Sequence, residues 1–333
     1  MRPIRMLMAT ACILISSMTC FATDDITVIN TPVFTPRLLE LAEGGNPYAQ
    51  NNLGIVYQKG FGVELDLEKA AYWFLRGAEG GSGMAMSNIG VAYLKGRGVE
   101  QNIPLAVEWF EKSANAGTQN GCFNMATLYY QGLGVEKDGE KALEYALKAL
   151  NAEPASTYTD NDAWTQRYGM GRIQMFLAMC YGEGIGTAPD KQKAFDFTRL
   201  AAHNGNPEGC LMMAQAYEKG ENVIKSLPLA EKCYTVAADA GYYNAQYILG
   251  SRYYSGEIFK KNYKLAAKYL GMVINNSKLE APPMIKADAM LKLASLLERS
   301  GKKADSDRAA TLRKEASALP TPDAAEIRSW LFY

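Results

Sequence analysis

Sliding the chain against itself gives long matches at a step of 36 residues, and this period limits the possible folds more tightly than any other feature. Gly54, Gly90 and Ala126 share one phase, and Tyr57, Tyr93 and Tyr129 follow three residues later. Gly60, Gly96 and Gly132 come next, each followed two places on by Gly62, Gly98 or Gly134. Ala70, Ala106 and Ala142 then align, with Trp73, Trp109 and Tyr145 three residues further. From Ala142 to Ala194 the step is 52, one period plus 16 residues, after which the pattern resumes and runs through Gly256 and Ala266. Six repeats are expected. A unit this short cannot bury its apolar face alone, so the units must stack.

Within a unit the apolar spacing is helical: Ala49, Leu53 and Tyr57, then Ala70, Trp73, Phe74 and Ala78. Each unit therefore reads as a helix hairpin. Small residues such as Gly54 and Ala70 let helices approach closely, with an aromatic ring filling the adjacent groove. Gly60 and Gly62 read as the end of a first helix, where a positive φ is needed. A phosphate cradle is the competing reading of that G-x-G, and its recurrence along the chain argues against it.

The stretches AQNNLGIVYQKGFGV and AAYWFLRGAEGG resemble the Sel1-like repeat, a relative of the tetratricopeptide repeat, over about residues 36–276. The resemblance implies an all-α fold, a right-handed superhelical α-solenoid of helix hairpins that binds other proteins along a concave face. The second loop glycine is lost in KGENV and SGEIF, and Cys233 takes the tryptophan place, so the fifth and sixth units are expected to be irregular. PRLLELAEGG reads as a capping half-unit, and ADAMLKLASLLERSGKKADSDRAATLRKEA as a degenerate terminal hairpin. The tail closes on Trp330, Leu331, Phe332 and Tyr333 and is expected to fold back on the last helices.

The residues offer little catalytic chemistry. His203 is the only histidine, which removes Ser-His-Asp, Cys-His and the usual zinc arrangements, and its place in AAHNGNP suggests an exposed helix end. Acidic residues are scattered along the hairpins without a spacing that pairs two on one buried face. No catalytic, metal or cofactor residue is assigned. A cysteine-rich branch of the resembled family is associated with penicillin binding and β-lactamase activity. It places two cysteines in every repeat, and this chain does not, which leaves a penicillin-recognising hydrolase as the remote alternative.

Residues 1–22 read as a signal peptide: Arg2 and Arg5, an apolar run from Met6 to Met18, and Ala22 before the expected cut. The run is too short to span a membrane. Ser17 and Thr19 fit a lipidation motif at Cys20 poorly. Without the leader, 33 basic residues face 35 acidic ones, so charge gives no case for nucleic acid or anionic lipid. Cys122, Cys180, Cys210 and Cys233 remain, as bridges or as buried thiols.

The expected layout is a leader (1–22), an N-terminal segment with a capping helix (23–45), three repeats (46–149), an inserted loop (150–171), three repeats (172–276), and C-terminal capping helices with the tail (277–333). Binding residues are sought at Asn52, Asn88 and Asn124, which recur at the period and serve equally well as structural ties. Others are Phe123 and Tyr130, seven residues apart, and Tyr158, Trp164 and Tyr168 in the insertion. The expected function is non-enzymatic protein binding in the periplasm or outside the cell. The resemblance suggests an immunity protein neutralising a lipase-type effector. An envelope adaptor or a secreted factor binding a host protein are the alternatives.

Overall fold

The computed structural model describes residues 33–152, 163–277 and 279–320. Among them the chain forms helices and no strand: α1 Pro36–Glu43, α2 Pro47–Lys59, α3 Leu67–Glu79, α4 Gly83–Lys95, α5 Ile103–Asn115, α6 Gln119–Gln131, α7 Gly139–Asn151, α8 Ala163–Glu183, α9 Lys191–His203, α10 Pro207–Lys219, α11 Leu227–Asp239, α12 Tyr243–Ser255, α13 Tyr263–Ile274, α14 Pro283–Glu298 and α15 Lys303–Ser317. This is the all-α repeat fold that the period demands. The chain divides into two compact units, with a border between Asn102 and Ile103, inside the second repeat. The first unit holds α1–α4 and the second α5–α15.

Local chemistry sets each hairpin. First helices α2, α4, α6, α10 and α12 end on Gly60, Gly96, Gly132, Gly220 and Gly256, all left-handed. Second helices begin on Asp66, Asp138, Asp190 or Asn262, whose side chains accept a backbone N–H three residues on. The Lys69 N–H bonded to Asp66 holds that carboxyl below the usual range, and Lys193 does the same for Asp190. Lys69, Lys141 and Lys193 also lie over the rings of Tyr57, Tyr129 and Tyr181.

The second loop glycine has a different role from the helix stop expected of it. A Cβ on Gly98 would lie 1.9 Å from the Leu67 carbonyl oxygen, and one on Gly186 2.1 Å from that of Gly139. This position touches the start of a second helix in the preceding hairpin and has no space for a side chain. Where the glycine is lost, the loop adapts in two ways. Asn222 takes a φ of +57°, the one positive φ outside glycine among the described residues, and the sixth loop reverses on Gly256 with Phe259 buried against Tyr253.

Tyr–aromatic stacking closes most hairpins of the second unit: Tyr129 on Tyr145, Tyr181 on Phe197, Tyr253 on Tyr269. In the fifth hairpin Cys233 replaces the ring and the neighbouring Tyr234 is fully buried instead. At the base of the first unit Ala42 of α1 packs with Ala49, Leu53 and Val56 of α2, as a capping half-unit should.

Two expectations are corrected. The segment 150–171 is not a loop over its described length: α7 continues to Asn151, and α8 starts at Ala163 and runs 21 residues. Gly171, read as a loop residue, sits inside α8 because a Cβ there would press on Asn206 at 3.0 Å. The terminal segment is a hairpin as expected, α14 with α15, but a full one and not a degenerate cap. Its connection, residues 299–302, is shorter than the G-x-G loops, which shifts the phase and hides the repeat.

Hairpins are tied to one another by a side chain at one recurring phase. Gln50 donates to the Ala42 carbonyl at 3.0 Å, Cys210 to Ala202 at 3.4 Å and Gln246 to Ala238 at 2.9 Å, each eight residues back. The amide oxygens of Gln174 and Gln246 accept from Asn204 and Asn276. In the first unit the corresponding position is Gly80, which Pro47 leaves no room to enlarge, so the buried Oε1 of Gln50 has no partner. The equivalent residue of the second repeat is Met86. Gln50→Met is therefore expected to leave the melting midpoint within about 2 °C of the parent, or to raise it, because an unpaired buried acceptor is removed. A fall of roughly 5 °C or more by circular dichroism would contradict this.

Candidate binding groove

A groove of about 810 Å³ opens in the second unit between the first helices α8 and α10, with α9 beneath. Met175, Phe176, Met179, Phe195, Met212 and Met213 supply its apolar lining. The period explains why it forms here. Gly182 occupies the phase held by Tyr130 and Glu218 in neighbouring hairpins. A Cβ there would meet only Ala194 Cβ, at 3.7 Å, so the absent side chain leaves space between α8 and α9. Met212 is 46% exposed, an uncommon state for a large apolar side chain, and methionine adapts its shape to what it contacts.

Phe123 and Tyr130, chosen from the sequence, come together against one ring. Both meet Phe176 edge-on, with centroids 5.7 and 5.6 Å apart. Arg172 lies over Phe123 at 5.2 Å. Phe123 and Phe176 are half-buried, so the cluster forms a firm wall of the groove. Phe176 and the methionines were not chosen from the sequence. The loop reading of the neighbouring segment drew attention away from α8, although Gly182 at an otherwise bulky phase pointed to the gap.

The asparagines behave differently. Asn52 is buried and accepts from Asn51, and Asn88 donates to Asn51 at 2.8 Å, so in the first unit they tie α2 to α4. The idea that Asn52 faces a binding groove is corrected on that ground. Asn124 is half-buried on α6. Tyr158 lies outside the described residues, as do the side chains of Trp164 and Tyr168 on α8. His203 is exposed at the end of α9, as its sequence context suggested.

A second cluster deserves a chemical reading. On α12 and α14, Lys292 donates to Tyr247 at 2.9 Å and Ser251 at 3.4 Å and pairs with Asp288, which also accepts from Tyr247. A lysine that activates a serine must be neutral. Burial pulls Lys292 down, but Tyr247 and Asp288 outweigh it and the ammonium is held charged. As arranged, the cluster is an ion pair joining two hairpins. Burial pushes Cys180 up to about 11 and raises Cys122, so neither is an activated nucleophile. Among the described residues no three His, Cys, Asp or Glu side chains gather as metal ligands, and no helix is long and apolar enough to cross a membrane.

Stacked hairpins with a groove between first helices are the architecture of a repeat scaffold. The Sel1 repeat matches residues 47–82, 83–118, 119–153, 173–206, 207–242, 244–272 and 287–319, and the chain belongs to the Sel1 repeat family. The seventh match is the α14–α15 hairpin, one repeat more than the six expected. Sel1 repeats mediate protein–protein interaction, so the chain is a protein-binding scaffold. Among solved structures, a Sel1 repeat protein from Oxalobacter formigenes is 26% identical, with 74% of this chain and 98% of that chain covered and a TM-score of 0.56. A protective antigen of uropathogenic Escherichia coli is 25% identical over 84% of this chain and 63% of its own (TM-score 0.40). The immunity protein Pa5087 from Pseudomonas aeruginosa is 23% identical over 75% and 80% (TM-score 0.36).

Proposed function

We propose that the chain works outside the cytoplasm as a non-catalytic inhibitor of another protein, holding it through the methionine-lined groove between α8 and α10. The observation that carries this is the groove itself, an apolar surface with Met212 half exposed and a firm aromatic wall beside it. Such a surface holds a protruding apolar element of a partner, and the residues that desolvate it most fully contribute most of the affinity. The leader sequence supports export. An immunity role against a secreted effector suits this arrangement, because blocking an active site requires shape and no reaction chemistry. An envelope adaptor would use the same groove.

The experiment is capture of the partner from a lysate of the source, then titration of that identified partner against the parent chain and Met212→Lys. Met212 is exposed, so the lysine is tolerated by the fold, while a charge in an apolar contact is expected to weaken binding tenfold or more. Unchanged affinity would remove the groove from the proposal. Fractionation of source cells tests the location. An effector enzyme inhibited by the chain in stoichiometric amounts would favour immunity over an adaptor role.

A further inference from the structure

We propose that Cys210 and Cys233 form a disulfide that staples α10 to α11 when the chain folds in contact with a disulfide oxidant. The fifth hairpin is the one repeat with a cysteine at both of these phases. At the Cys210 phase the other hairpins carry Gln50, Met86, Cys122, Gln174 and Gln246, and at the Cys233 phase Trp73, Trp109, Tyr145, Phe197 and Tyr269. Both residues are buried, at 0% and 3% exposure, on the two helices of one hairpin, and the Cys210 thiol lies close enough to Cys233 to favour its thiolate. The other two cysteines are placed otherwise: Cys122 donates to the Ala114 carbonyl, and Cys180 packs in the core with Ile173 and Leu177.

The exchange of the aromatic ring for Cys233 removes the stacking that closes three other hairpins of this unit. A covalent link between the same two helices would compensate by restricting the unfolded chain. The reaction balances with oxidised glutathione or the disulfide of a thiol oxidoreductase as oxidant. One cysteine thiolate attacks that disulfide and releases a first reduced thiol. The second cysteine then attacks the mixed disulfide, forming the Cys210–Cys233 bond and releasing the second. Two electrons pass to the oxidant, and the protons from the two cysteines end on the two released thiols. Because both sulfurs are buried in the closed hairpin, exchange belongs to the folding stage. This inference rests on the proposed export only for where the chain meets its oxidant.

The test refolds the full chain, with the leader residues Cys12 and Cys20 replaced by Ser, from the reduced and unfolded state in mixed reduced and oxidised glutathione. Remaining thiols are then alkylated and the peptides mapped by mass spectrometry. The expected result is one peptide pair linked through Cys210 and Cys233, with Cys122 and Cys180 alkylated. The oxidised chain should melt roughly 5 °C or more above the reduced chain. That difference should vanish in Cys233→Ala and persist in Cys122→Ala. Should Cys233→Ala fail to fold, the oxidised and reduced parent chains provide the comparison alone. Alkylation of both Cys210 and Cys233 after refolding, or a link through Cys122 or Cys180, overturns the proposal. Since the test is made in vitro, a chain that bridges but fractionates with the cytoplasm counts against export and not against the bridge.

Discussion

Gly98→Ala is expected to destabilise the first unit by about 3 kcal/mol or more, enough to melt α3 and α4 at temperatures where the parent is folded. Two costs add. Gly98 has a φ of +72°, where an alanine is strained by roughly 1–2 kcal/mol. Its Cβ would also stand 1.9 Å from the Leu67 carbonyl oxygen, an overlap with backbone that no side-chain movement relieves. Gly81 separates the two terms, because its φ is +93° and a Cβ there meets nothing within 4 Å. Gly81→Ala should therefore lose only the strain. Denaturant titration of the two variants, with hydrogen exchange followed in α3, decides the matter. Equal losses would mean that the loop does not press on the preceding hairpin.

The second large effect is expected at Arg252→Met, with a loss of about 2–3 kcal/mol localised to the fifth and sixth hairpins. Arg252 of α12 donates to Glu218 of α10 at 2.7 Å, and the buried Tyr234 hydroxyl donates to the other oxygen of the same carboxylate at 3.1 Å. The Glu218 side chain is only 12% exposed, so removing the guanidinium leaves a carboxylate far from water with one neutral donor. Adding Glu218→Gln should recover part of the loss, since the uncompensated charge then disappears. If Arg252→Met loses less than roughly 0.5 kcal/mol, the pair behaves as a surface ion pair. The same network sets an alkaline limit. Burial and the neighbouring Glu218 hold the Tyr234 hydroxyl above the usual tyrosine range. The unfolded chain releases this proton near pH 10 while the folded chain keeps it, so stability should fall as pH rises past about 10.

Much of the fold could be read from residues. Gly60 and its equivalents, the Ala70 phase and the tyrosines gave the hairpins because helix ends and helix contacts depend on residue size alone. The last hairpin was read as a degenerate cap and not counted as a seventh repeat, because its connection lacks the G-x-G and the period slips. The start of α8 escaped because Gly169 and Gly171 read locally as breakers, and the approach of Asn206, the Ala201 carbonyl and Asn204 explains a glycine at 171. For the groove, Phe123 and Tyr130 were accessible from their spacing. Phe176 was not, since its value comes from a gap left by a residue on the same helix. Asn52 and Asn88 recur at the repeat period, but recurrence alone does not separate a surface ladder from a buried tie.

The inter-hairpin ties have a consequence for exchanging modules. The bond from Cys210 to Ala202 crosses the turn that an alignment of repeats would choose as a border. Asn204 with Gly171, and Gly80 with Pro47 in the first unit, are matched pairs inside one hairpin, where the end of the second helix meets the start of its own first helix. A chimaera cut between hairpins would part the Cys210 donor from its Ala202 acceptor, and Gln246 from Ala238, while keeping the matched pairs together. A cut inside a loop, between a first helix and its own second helix, keeps the Cys210–Ala202 bond but parts Asn204 from Gly171 and from Gln174, so neither border leaves every joint whole and an exchanged module must carry both sides of the joints it cuts.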